Sequence, residues 1–189
     1  AQSDYWQPTK AMGHGDLHLI VLAPSSVQEM ASLANKAFDL ADKYRMPAML
    51  LADGALGQMM EPVDLDGIKA PEAVCKPWAT CGHDGKRKKN ITNSLYINPD
   101  DLEKTVIERF ARYETVKANE IMYEEYLTED ADIVVVAYGI TARICRSAVA
   151  MARAQGVKVG LFRPITLWPY PYEALGRLAD TASRFIVSE

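Results

Sequence analysis

The fold is decided by one stretch, Gly13–Pro62: GHGDLHLIVLAPSSVQEMASLANKAFDLADKYRMPAMLLADGALGQMMEP. Two apolar runs, Leu17–Ala23 and Pro47–Ala52, flank a helical repeat. Pro24 stops the first run. Ser25 or Ser26 then caps a helix, with Gln28 or Glu29 placed to reach back to the cap. Val27, Met30, Leu33, Ala34, Ala37, Phe38, Leu40 and Ala41 recur at helical spacing. Lys43 and Arg45 set positive charge at the negative end of that helix. Pro47 opens the next strand. A strand, a helix and a strand in this order predict parallel strands joined by a right-handed crossover.

A second unit of the same kind lies near the far end. Ala131–Ala137 reads as a strand, and Tyr138-Gly139-Ile140-Thr141 as a turn into the helix Ala142–Ala154. Gln155-Gly156 supplies a glycine cap. Val157–Phe162 is the next strand, Tyr172–Ala179 another helix, and Phe185–Val187 the start of a third strand. Between the units, Glu61–Asp100 is rich in Pro, Gly, Lys and Asp and has no period. It reads as a linker or a functional excursion. Leu102–Leu127 reads as one long helix with an incomplete apolar stripe. The expected fold class is therefore α/β, with two parallel-sheet modules joined by a long linker and helix. The boundaries fall at residues 1–61, 62–128 and 129–189.

Composition narrows the classes of function. The chain has 189 residues, 49% of them hydrophobic, enough for a real core, and a net charge of −4. That balance argues against a nucleic-acid platform. The basic run Lys86-Arg87-Lys88-Lys89 has no interleaved aromatics and reads as a solvated loop. Three cysteines without a CxxC pair argue against a cluster or structural zinc held by this chain. Their sparseness fits a reducing cytoplasm, although a Cys75–Cys81 disulfide stays open. No apolar run reaches transmembrane length. The ends, Ala1-Gln2-Ser3 and Phe185-Ile186-Val187-Ser188-Glu189, read as those of a piece of a longer polypeptide.

Several positions carry candidate chemistry. Gly13-His14-Gly15-Asp16 is either a plain turn or a loop in which His14 and Asp16 do proton or ligand work. Asp53 stands at the end of the second strand. It either faces the crevice at the strands' carboxyl ends or caps the next helix. Cys81-Gly82-His83-Asp84-Gly85 collects Cys, His and Asp but lacks a further ligand, so no metal is expected there. The Tyr138-Gly139 turn is not a GxGxxG dinucleotide fingerprint. Arg163-Pro164-Ile165-Thr166-Leu167-Trp168-Pro169 reads as a rigid loop, structural or holding an anion or a neighbouring chain through Arg163. No local triad or P-loop is present.

Taken together, these segments resemble one family. LAPSSVQEM…AFDLADKYRMPAMLLADGALGQMMEP resembles the end of the pyrimidine-binding domain of 2-oxoacid:ferredoxin oxidoreductase alpha subunits. TCGHDG and the charged helix after it resemble that subunit's interdomain linker. ADIVVVAYGITARICRSAVAMARAQGVKVGLFRPITLWPYP resembles the next domain, similar to the carboxyl-terminal domain of transketolase. The likeness is strongest to the 3-methyl-2-oxobutanoate (2-ketoisovalerate) type.

The resemblance implies oxidative decarboxylation of a 2-oxoacid to an acyl-CoA and CO2, with electrons passed to ferredoxin. It implies thiamine diphosphate with Mg shared with a beta subunit, and iron–sulfur clusters in gamma or delta partners, none held by this chain alone. It also implies no nucleic-acid or membrane partner. The family's Tyr-Pro-x-Thr-Pro segment and activating glutamate are absent here, so the chain is expected not to catalyse by itself. Under the resemblance, His14 and Asp16 line the approach to the cofactor cleft, Asp53 follows them, and His83, Asp84 and Arg163 serve the linker or a partner. The competing readings are a non-catalytic assembly module and a 2-oxoacid dehydrogenase or transketolase-type subunit.

Overall fold

The computed structural model describes residues 4–10, 17–70 and 75–189. Its first sheet is built on the opening stretch. Strand β1 (Ile20–Leu22) runs parallel to β2 (Ala48–Leu50), with Ile20 opposite Ala48 and Leu22 opposite Leu50. A short α1 (Trp6–Lys10) precedes them. Helix α2 (Val27–Tyr44) makes the crossover. Ser26 caps it: its backbone is extended, and its hydroxyl accepts the Glu29 N–H at 3.1 Å. The Glu29 carboxylate accepts the Ser25 N–H at 2.8 Å, completing the reciprocal cap. Arg45, at φ +48°, ends the helix in the left-handed region, and Pro47 follows. Leu33, Leu40 and Tyr44 bury the helix's apolar face against the fully buried Ile20, Val21 and Leu22.

Beyond β2, Asp53 caps the short α3 (Gly54–Gln58). The aperiodic stretch after it is not a free loop. It lies along α2 from one end to the other. Glu61 accepts the Val27 N–H, and Gln28 exchanges two hydrogen bonds with the Asp64 backbone. The Asn35 amide reaches the Lys69 carbonyl, Lys76 pairs with Asp42, and the Arg45 guanidinium sits 4.8 Å over the Trp78 ring.

Helix α4 spans Pro99–Asn119, capped by Asn98, and buries only Tyr113 and Val116. The expected long helix to Leu127 therefore ends early. Tyr123–Tyr126 forms β3, antiparallel to β5 (Val159–Pro164). Tertiary pairing overrides helix propensity here: Tyr-Glu-Glu-Tyr puts one tyrosine on each face of an edge strand whose Glu124 and Tyr126 face is half-buried. The incomplete apolar stripe noted in the sequence fails over these same residues.

The second sheet has the order β3-β5-β4-β7, where β4 is Ile133–Val136 and β7 is Arg184–Val187. Strand β4 runs parallel to both β5 and β7. Helices α5 (Gly139–Ala154) and α6 (Tyr172–Ala179) pack on its two sides. α5 meets Leu161 and Val159, while α6 meets Phe162 and Val134. The segment read as a rigid loop is half strand: Thr166–Trp168 forms β6 and joins the first sheet antiparallel to β1. Thr166 is fully buried, and its hydroxyl accepts the Met122 N–H. One continuous stretch, Val159–Trp168, thus serves both sheets. Both sheets are parallel at the centre with one antiparallel edge. No helix among the described residues is long and apolar enough to cross a membrane.

Candidate functional site

The two modules meet where strands of both sheets end at their carboxyl sides, the usual ligand edge of open α/β sheets. Three carboxylates of the first module cross this seam, and each also serves a helix N-terminus. Asp53 accepts the Leu56 N–H at 2.8 Å with Oδ1, while Oδ2 accepts the Ile140 N–H at 3.4 Å. Gly139 stands beside it at φ +58°, and a Cβ there would meet Asp53 Oδ2 at 3.7 Å. Glycine suits that turn because its backbone sits in the left-handed region. Glu61 accepts the Val27 N–H and pairs with Arg143 of α5 at 2.6 Å. The Arg143 guanidinium and the Val27 N–H hold the Glu61 carboxyl below the ordinary glutamate value.

Glu29 is the third. Arg163 is 4% exposed, and its guanidinium donates to both Glu29 oxygens, to Glu124 at 2.9 Å and to the Ala23 carbonyl. Burial pushes the Glu29 carboxyl up, but Arg163 and the Ser25 N–H hold it net below its ordinary value. The structure therefore places Arg163 inside an ion-pair network of this chain. Glu120 is likewise committed, to Lys43 at 2.7 Å and to the Tyr44 hydroxyl at 2.6 Å.

Beside the seam lies a cavity of about 810 Å³, walled by Tyr5, His18, Tyr138, Trp168 and Tyr170, with Glu189 at its edge. His18 stacks on Trp168 with ring centres 4.9 Å apart, and Tyr113 meets both rings edge-on. The Tyr113 hydroxyl accepts the His18 N–H at 3.2 Å. Burial and the neighbouring Glu189 charge push the Tyr138 hydroxyl up to about 12, so it stays a neutral donor at physiological pH. Aromatic walls with a few polar groups suit a flat or aliphatic ligand portion.

His14 and Asp16 lie outside the described residues. Asp53 both caps α3 and ties α5. His83 and Asp84 form a self-contained turn and do not line the cavity. There His83 Nδ1 accepts the Gly85 N–H, Asp84 is at φ +46°, and Arg87 binds the Gly82 and Ala79 carbonyls. Sequence reasoning missed the Glu61–Arg143 pair and the His18, Tyr113 and Trp168 cluster. Their partners are distant in sequence, and no local spacing signals them. Among the described residues no three His, Cys, Asp or Glu side chains gather as a metal site.

Comparison with known proteins fits this architecture. Residues 1–137 match the pyruvate flavodoxin/ferredoxin oxidoreductase, thiamine diphosphate-binding family, and residues 131–189 match pyruvate:ferredoxin oxidoreductase core domain II. The chain belongs to this class of 2-oxoacid oxidoreductase subunits. Within it, the chain is 47% identical over its full length to ketoisovalerate oxidoreductase subunit VorB of Methanothermobacter thermautotrophicus, covering 53% of that protein. It is 34% identical to 2-oxoglutarate synthase subunit KorA of Methanocaldococcus jannaschii, over 93% of this chain and 53% of that one. In structure it resembles a 2-oxoglutarate:ferredoxin oxidoreductase from Magnetococcus marinus bound to 2-oxoglutarate, coenzyme A and succinyl-CoA. The TM-score is 0.72 at 25% identity, covering 98% of this chain and 37% of that one. The chain spans about half the length of the curated relatives it matches.

Proposed function

We propose that this chain is part of the alpha subunit of an enzyme that oxidatively decarboxylates a branched-chain 2-oxoacid. The substrate is 3-methyl-2-oxobutanoate, the products an acyl-CoA and CO2, and the electron acceptor ferredoxin. One observation carries the reading: identity to a ketoisovalerate oxidoreductase subunit is 47%, against 34% to a 2-oxoglutarate synthase subunit.

Thiamine diphosphate, when bound, supplies the electron sink for decarboxylation. The described residues offer that group wall and scaffold and do not fit its grip. The half-buried Glu29 and buried Glu120 are each taken up by a cation of this chain. The activating glutamate, the Mg site and the iron–sulfur clusters belong to other parts of the assembled enzyme. In this reading His14 and Asp16 line the approach to the cofactor cleft, and His83 and Asp84 touch a beta or gamma/delta partner. The seam carboxylates fix the angle between the modules, and Asp53 acts there as a strut. The location is cytoplasmic, in keeping with few cysteines and no paired CxxC.

The test is reconstitution of the complete subunit set with ferredoxin and coenzyme A. 3-Methyl-2-oxobutanoate is expected to be turned over faster than 2-oxoglutarate or pyruvate, and this chain alone is expected to turn over none. Faster turnover of 2-oxoglutarate overturns the substrate assignment. In that complex, an unchanged rate for His14→Ala removes the role of His14.

A further inference from the structure

The second sheet has a switch point, and the cavity sits on it. From β4 the chain leaves through α5 to β5 on one side, then returns through α6 to β7 on the other. The two helices cover opposite faces, α5 on Val159 and Leu161, α6 on Val134 and Phe162. Neighbouring strands whose crossovers part in this way leave a crevice at their carboxyl ends, where open α/β sheets take their ligands. Val136 ends β4 and Val187 ends β7, and both line the cavity of about 810 Å³.

Its lining indicates the class of ligand. Flat faces come from both modules: His18 stacks on Trp168, and Tyr5 meets Tyr138 edge-on with ring centres 6.1 Å apart. Such faces hold planar rings by stacking. Burial pushes the hydroxyls of Tyr138 and Tyr170 up, so both stay protonated and can donate to a ring nitrogen. Tyr138 donates to Glu189 at 3.5 Å, the long limit of a hydrogen bond, and a better-placed acceptor would take that proton. Three carboxylates, Glu114, Glu173 and Glu189, line the cavity with two lysines, Lys10 and Lys117. Lys117 is already paired with Glu114 at 2.7 Å. The surplus is negative: it accepts from an amino group and repels a phosphate. The volume lies in the range of small-molecule sites and has room for a base with its sugar.

We infer that this cavity binds an uncharged, amino-bearing nitrogen heterocycle of nucleoside size. Its ring stacks on the aromatic walls, a ring nitrogen accepts from the Tyr138 hydroxyl, and its amino group turns toward the carboxylates. The inference concerns binding alone and does not rest on which 2-oxoacid the enzyme uses.

Equilibrium dialysis of the full chain against adenosine, AMP and thiamine tests it, with circular dichroism as a check on folding. Adenosine is expected to be retained, and AMP about tenfold more weakly or worse, because its phosphate meets the acidic rim. Tyr138→Ala is expected to weaken adenosine binding by about tenfold or more, the range for one lost stacking partner. Glu173 is exposed, so Glu173→Lys leaves the packed walls in place. It is expected to narrow the gap between adenosine and AMP severalfold. A chain that retains no adenosine overturns the inference. So does AMP bound as tightly as adenosine, or a Glu173→Lys variant with the parent's preference. Thiamine retained more tightly than adenosine also overturns it, by assigning the cavity to thiamine diphosphate. Adenosine held by this chain but not by the assembled enzyme does the same, since another segment then fills the cavity.

Discussion

Arg163 and Glu29 lie 134 residues apart in sequence and share two hydrogen bonds in the structure. Glu29 belongs to the cap of α2, and Arg163 to the strand β5 that passes from the second sheet into the first. One guanidinium thus ties a helix start in one module to the central strands of the other.

Removing that guanidinium is costly because it leaves the Glu29 carboxylate without a cation in a site that is nine-tenths closed on the Arg163 side, while Glu124 keeps Arg146. Arg163→Met is expected to lower unfolding stability by about 3 kcal/mol, the low end for a broken buried pair, since Glu29 keeps partial solvent access. Arg163→Met with Glu29→Met is expected to recover part of the loss. Urea denaturation of the two variants measures this, and equal losses in both would show that the pair adds only packing.

The pH dependence follows from three glutamates. Glu29, Glu61 and Glu120 all titrate below the ordinary value of 4.5 in the folded chain. Depressed folded values mean that their contribution is present above pH 4.5 and is lost as pH falls through the folded values. Stability is therefore expected to be flat from neutral pH down to about 5 and to decline below that. In Arg163→Met the largest lowering contribution to Glu29 is gone, burial still pushes its carboxyl up and only the Ser25 N–H and hydroxyl hold it down, so the acid decline should flatten. Thermal melts across that range check the sign.

Gly160 in β5 faces the backbone of Leu127 so closely that a Cβ would lie 2.5 Å from its carbonyl oxygen. A backbone neighbour cannot swing aside. Gly160→Ala is expected to cost about 1–3 kcal/mol, the range for forced overpacking. A melting temperature unchanged from the parent chain would contradict this.

Asp53→Ala removes the cap of α3 and the bond to the Ile140 N–H in the first turn of α5. A loss of about 1–2 kcal/mol is expected, and Asp53→Asn should restore most of it because the amide oxygen still accepts. If Asp53 instead acts on substrate in the assembled enzyme, Asp53→Asn will lose activity while keeping stability.

Much of the architecture was legible because it rests on short-range rules. The Ser26–Glu29 cap, the strand before Pro24 and the helix Tyr172–Ala179 are written in neighbouring residues. What was hidden depends on pairing across the fold. Tyr123–Tyr126 becomes a strand only because β5 is beside it, and Thr166–Trp168 only because β1 is. The seam was half legible. Asp53 and Glu29 stood out as caps and Arg163 as a lone charge in its loop, but nothing local pairs Arg163 with Glu29 or Ile140 with Asp53.

The segment laid along α2 has a consequence for how the protein can vary. Gln28, Asn35 and Asp42 are spaced by seven residues, two helical turns, so they present one face to it. Their partners Asp64, Lys69 and Lys76 advance along the chain in the same direction. A stretch whose described residues form neither helix nor strand is thus gauged against a rigid ruler. Insertions and deletions between Asp64 and Lys69 must shift every later contact out of step with the helix. They should be tolerated far less there than beyond Trp78, where the ruler ends.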